Sequence, residues 1–202
     1  MDQRQFLWGL SNGVWVLALA GTFWIGLAIG MTAPRVYWVI TALSTLVQAG
    51  GLVGLIWAGA RLRRRSGFRR TELRTPAFRQ NPETRRIVIR FGWTVCAQAA
   101  LIGLAVWLCL LAQAETMIWP SIGLVVSVHF SVLGWIFHVR AYHATALAGS
   151  LVALAGFATA HDALGVVVLG WGMMFVMWTS AIYLLVSADR IAAGAIQEPW
   201  VA

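Results

Sequence analysis

Six long apolar stretches divide the chain, each near the roughly 20 residues a helix needs to cross hydrocarbon. They cover about 6–31, 35–60, 88–113, 118–138, 142–160 and 164–187, and only the connection at 61–87 is long. Breakers mark the ends. Pro34 opens the second stretch, and Pro120 sits in the first turn of the fourth, where a missing N–H is tolerated. Asp162 is placed to cap the sixth. Asn81-Pro82-Glu83 reads as cap, first helical proline and an acid facing the dipole. The third helix is therefore expected over 82–113, beginning before the lipid. Ala18-Leu19-Ala20 imitates a signal-peptidase site, but the apolar run continues to Ile29, which predicts an uncleaved anchor. The pattern predicts an all-α fold: one polytopic transmembrane bundle of six helices over 1–202, interrupted by a basic loop at 61–81.

Composition strengthens this. The chain is 60% hydrophobic and 11% charged, where soluble domains are nearer one quarter charged. Its net charge is +8, and all fifteen basic residues are arginine. A nucleic-acid partner is not implied, because eleven of the arginines lie between Arg61 and Arg90, flanked by apolar spans. Arginine-rich loops stay in the cytoplasm. With this loop inside, Arg4, Arg140 and Arg190 are inside too, and Arg35 alone is outside. Both termini are then expected in the cytoplasm, and the location in a bacterial inner membrane. In this register Trp8, Trp57, Trp93 and Trp135 fall near inner ends, and Trp24, Trp38, Trp107 and Trp119 near outer ends, as an aromatic belt requires. Trp15, Trp171 and Trp178 lie deeper and are expected between helices.

Packing is written in small residues. Gly9/Gly13 and Gly26/Gly30 recur at four-residue spacing on span one, Gly50, Gly54 and Ala58 on span two, and Thr145, Gly149 and Ala153 on span five. Such stripes let backbones approach where no hydrophobic effect drives association. They serve packing within one chain or in a homo-oligomer equally well. Cys96 and Cys109 share one span and, at ~1.5 Å rise per residue, stand roughly 20 Å apart, too far for a disulfide.

The candidate chemistry is sparse. His129 falls near mid-bilayer in span four; Gln48 is central in span two, and Gln98 lies about a turn below the middle of span three. Each polar group at that depth needs a partner. The economical expectation is one polar cluster of His129, Gln48 and Gln98, joined by Asn12 and Ser11 from span one. Two readings stay open: interhelical hydrogen bonds that fix packing, or a pocket for a small solute or proton. His138, Arg140 and His143 are expected at the cytoplasmic turn between spans four and five. Arg61, Arg63, Arg64, Arg65, Arg69 and Arg70 are expected to attract anionic lipid headgroups, with Phe68 and Phe78 dipping into the interface. A protein anchored by the bundle and acting through this loop is the alternative function. No G-x-S-x-G, H-E-x-x-H or phosphate-cradling glycine loop occurs, so neither an enzyme, a metal nor a cofactor is expected.

The segment Trp119–Ala146, WPSIGLVVSVHFSVLGWIFHVRAYHATA, resembles the central part of an uncharacterised family of small bacterial six-helix integral membrane proteins. The likeness lies in His129-Phe130 inside a span, Trp135 and Phe137 at its end, and Tyr142 opening the next helix. The segment departs from that pattern at Val132, where the family has proline. The resemblance implies a membrane bundle and no particular activity.

Overall fold

The computed structural model describes residues 3–32, 38–65, 82–161 and 163–192. Six helices run as α1 (Gln3–Thr32), α2 (Trp38–Arg65), α3 (Pro82–Leu111), α4 (Ile118–Phe137), α5 (Arg140–Ala158) and α6 (Ala163–Ala192). A 3-10 turn at Glu115–Met117 joins α3 to α4. No strand occurs among the described residues. The protein is all-α, and all six helices are long and apolar enough to cross a membrane, as a multi-pass integral membrane protein requires. Asn81 and Asp162, the expected caps, lie outside the described residues, as do Pro34 and Arg35.

The centre of the bundle is α1 packed along α6, with α5 against α6 and α4 against α5. Leu10, Val14 and Leu17 of α1 meet Met173, Met177 and Leu184 of α6 in one buried cluster that takes in Phe130 of α4 and Tyr142 of α5. α2 lies against α1 and α6, whereas α3 is held chiefly by α4. The outer surface is apolar: Trp135 is 80% exposed, Trp93 74% and Val47 71%. In water this would be an aggregation surface; against acyl chains it is the ordinary exterior.

Two helix ends close with a left-handed residue other than glycine. At the end of α3, Gln113 (φ 53°) takes the position glycine usually fills. Ala114 N donates to Cys109 O at 2.9 Å and Gln113 N to Leu110 O at 3.1 Å, which together form a Schellman motif. At the end of α4, His138 (φ 55°) plays the same part, and Val139 N donates to Gly134 O at 3.1 Å. That turn sends α5 straight back along α4.

Several local expectations change. Trp24 does not face lipid; it is 2% exposed and packs in the core beside Gly123 and Gly170. Of the small-residue stripes, Thr145, Gly149 and Ala153 are buried. A side chain at Gly26, Gly30, Gly50 or Gly54 would instead meet open space. The close approaches run through other glycines, above all Gly21 and Gly51, which clasp the Trp178 indole from α1 and α2. Cys96 and Cys109 are both free thiols.

Candidate functional site

Gln48, Gln98 and His129 lie in two differently built seams. The first joins α2, α1 and α6. Gln48 is buried, and its Nε2 donates to Thr22 O at 2.8 Å. One turn away, Ala18 O accepts from Thr22 Oγ1 at 2.8 Å and from Trp178 Nε1 at 3.2 Å. A helical carbonyl already serves the residue four ahead, and its second lone pair is free for such a contact. Gln48, Thr22 and Trp178 thus tie three helices together through the backbone of α1. Beside them, Thr145 and Ser180 share a hydrogen bond of 2.7 Å between α5 and α6 while each hydroxyl also lies against its own helix backbone. Ser127 donates to Gly123 O at 2.7 Å and touches Met173 Sδ at 3.9 Å, beneath Gly149.

The second seam lies between α3 and α4. Phe91 meets Phe137 near one end, with ring centroids 6.0 Å apart, and Cys109 Sγ lies 3.7 Å from Ser121 Oγ near the other. Ser121, Val125, His129, Leu133 and Phe137 are successive fourth residues, hence one ridge of α4. His129 is on the ridge whose two ends touch α3. On α3, Thr94, Gln98, Ile102, Ala105, Val106 and Cys109 are half-buried within an otherwise exposed stretch. They form the stripe that faces α4. The antiparallel register fixed by the two end contacts sets His129 within about a turn of Gln98. His129 is half-buried, with its ring edge-on to Phe130 at 6.3 Å. Among the described residues neither its imidazole nor the Gln98 amide has a hydrogen-bond partner.

The expected single cluster is therefore divided. Gln98 and His129 share a depth and a seam. Gln48 is engaged on the α1–α2 side, and no hydrogen bond links it to either. Asn12 is half-buried in α1, next to Gly13, which abuts the Tyr142 hydroxyl. Ser11 is buried beside it.

The opening turn of α5 holds a residue whose role the sequence hid. His138 is exposed, as a headgroup-level residue should be, but His143 is half-buried. Its Nδ1 lies 3.1 Å from Ser131 Oγ, and its ring rests on Gly134, where a Cβ would collide with it. The i, i+3 spacing of Ser131 and Gly134 was the available signal: a small residue one turn from a hydroxyl makes a seat for a ring on the next helix.

At the end of α2 the arginines differ. Arg65 Nη1 lies 2.7 Å from Asp189 Oδ1 of α6, both partly exposed. The Arg63 guanidinium stands 5.7 Å over the Trp15 ring of α1, and Arg61 stands 5.7 Å over Trp57 of its own helix. Trp15 Nε1 is the buried side-chain donor without a partner among the described residues, pressed against Gly59. Arg64 is exposed. Arg69, Arg70, Phe68 and Phe78 lie outside the described residues. No three His, Cys, Asp or Glu side chains among the described residues are grouped as a metal site needs.

Comparison of the chain with protein-family models, with curated proteins and with solved structures gave no match.

Proposed function

We propose that the protein is a multi-pass protein of a bacterial inner membrane, with the arginine-rich segment and both termini in the cytoplasm, that binds or passes a small polar solute or a proton along the α3–α4 seam. His129 and Gln98 are the proposed contact residues. The observation that carries this reading is the pair of half-buried polar side chains at one depth whose hydrogen-bonding groups the rest of the described bundle leaves unengaged. In hydrocarbon such groups attract a polar partner, because an unpaired amide or imidazole costs several kcal/mol there, about 4–8 on an alkane scale. An imidazole both donates and accepts, and it titrates near neutrality in water, so it suits a polar solute or a proton. Among the described residues α3 is held chiefly by α4, so that seam can widen without disturbing the α1–α6 core. No covalent chemistry is proposed for the protein.

The test is flux into vesicles that hold the purified protein and a trapped pH-sensitive dye, followed by the same assay with a panel of small polar solutes. His129→Phe is expected to lower the protein-dependent rate at least tenfold, and Gln98→Leu by less. Equal rates for the wild type and both variants would remove the proposal. A scaffold acting through its arginine-rich segment is the second reading. It is favoured by the first seam, where Gln48, Thr22 and Trp178 all serve packing between α1, α2 and α6. Arg63, Arg64 and Arg65 to glutamine abolishing function while His129→Phe is silent would establish it.

A further inference from the structure

The outward face of α2 is built as one continuous gradient. Gly59, Leu55, Leu62 and Gln48 point into the bundle and are buried. Half a turn round the helix, Val47, Gly50, Gly54, Trp57, Arg61 and Arg64 follow at spacings of three and four, so they form a single stripe. All six residues are exposed. Around Gly50 and Gly54 a Cβ would meet nothing, which leaves a shallow channel along the helix. Trp57 is 63% exposed at the end of that channel, and the Arg61 guanidinium lies over its ring at 5.7 Å. Arg64 is the next residue on the stripe. The other two described arginines of this helix end are drawn elsewhere: Arg65 is neutralised by Asp189 and Arg63 is held over Trp15. Positive charge is thus left on the lipid-facing stripe, beyond an indole and above an apolar channel. From Gly50 to Arg61 the stripe rises ~16 Å, at about 1.5 Å per residue.

We infer that this stripe binds one anionic phospholipid, its phosphate between Arg61 and Arg64 and one acyl chain along Gly50 and Gly54. Charge complementarity selects the headgroup, since two exposed guanidinia without an ion pair among the described residues stand at the basic end of the stripe. Arg61 and Arg64 are three residues apart, so both can reach one phosphate, and guanidinium forks match its oxygens better than ammonium groups do. Trp57 fixes the glycerol level, where an indole is most at home. The site is separate from the His129 seam, on another helix, and stands whether or not that seam conducts.

Native mass spectrometry of the full chain in detergent tests it, with phosphatidylglycerol and phosphatidylcholine of identical acyl chains as probes. The wild type is expected to retain one phosphatidylglycerol in preference to phosphatidylcholine, and excess inorganic phosphate is expected not to displace it. Arg61→Gln with Arg64→Gln should reduce that preference about thirtyfold, from roughly fivefold per guanidinium at a membrane surface. Arg65→Gln should leave it intact. Gly54→Leu should weaken retention of both lipids alike, by filling the channel. An unchanged thermal midpoint in phosphatidylcholine micelles establishes that the double variant is folded. The inference is overturned if the folded double variant keeps the preference. It is also overturned if inorganic phosphate displaces the lipid, which marks a site for free anions. A Gly54→Leu variant that turns a dimer into a monomer with lipid retention unchanged overturns it too, and assigns the stripe to a second copy of the chain.

Discussion

Gln48 and Gln98 are the same side chain at similar depths on two peripheral helices, yet their surroundings differ. Gln48 is buried and bonded to a backbone carbonyl of α1, one turn from the carbonyl that receives Thr22 and Trp178. Gln98 is half-buried on a helix held, among the described residues, chiefly by α4, within about a turn of an imidazole with which it shares no hydrogen bond. A polar residue inside a membrane span is therefore not by itself a sign of function. Where its donors reach a helix backbone it is part of the packing. Where they reach no partner among the described residues, they are left for a polar group from elsewhere to engage.

The largest break in the first seam comes from the glycines that admit Trp178. Gly51→Leu places a branched side chain where the indole lies, and Gly21 opposite leaves no room to retreat. The loss is expected to be about 3 kcal/mol, at the upper end for overpacking, read as a fall in the unfolding midpoint in detergent. An unchanged midpoint would show that Trp178 does not wedge α1, α2 and α6 together.

Next in size is the contrast between the two glutamines. Gln48→Leu removes one interhelical hydrogen bond and should destabilise the protein by about 1 kcal/mol. Gln98→Leu removes an amide without a partner among the described residues, and stability should hold or rise by up to about 1 kcal/mol. Equal losses from both variants would mean that the seams are alike. The smallest effect belongs to the α4–α5 turn. His138→Gly relieves a left-handed backbone that glycine adopts freely, and should stabilise by roughly 1 kcal/mol or less. A loss instead would show that the His138 side chain contributes more than its backbone strain removes.

Depth along each helix was legible in the sequence, but direction around it was not. The apolar lengths foretold six helices, and α3 does include Pro82 as its first residue. Counting put Gln48 and His129 near the middle of their spans and Gln98 about a turn below the middle of its own. Which side of a helix faces inward did not follow, because lipid is as apolar as leucine and leaves no polar face to mark the exterior. Trp24 was accordingly placed in an aromatic belt although its ring is buried in the core, and the stripe of Gly50 and Gly54 turns out to face outward rather than into its own chain. His143 was expected with His138 and Arg140 at the turn between spans four and five, with no partner of its own. Its seat on Ser131 and Gly134 depends on a turn that neither glycine nor asparagine announces. The two seams could not be separated from sequence for the same reason: hydrogen bonds to backbone carbonyls leave no trace in residue type.

The most direct measurement is thiol labelling at three positions. In a background with Cys96→Ser and Cys109→Ala, single cysteines replace Gln48, Gln98 and His129 in turn, and a small hydrophilic methanethiosulfonate is applied to the protein in vesicles. If the α3–α4 seam admits polar solute, the thiols at 98 and 129 react and the one at 48 does not. Three inert thiols, or a thiol at 48 that reacts as fast as the others, would contradict it.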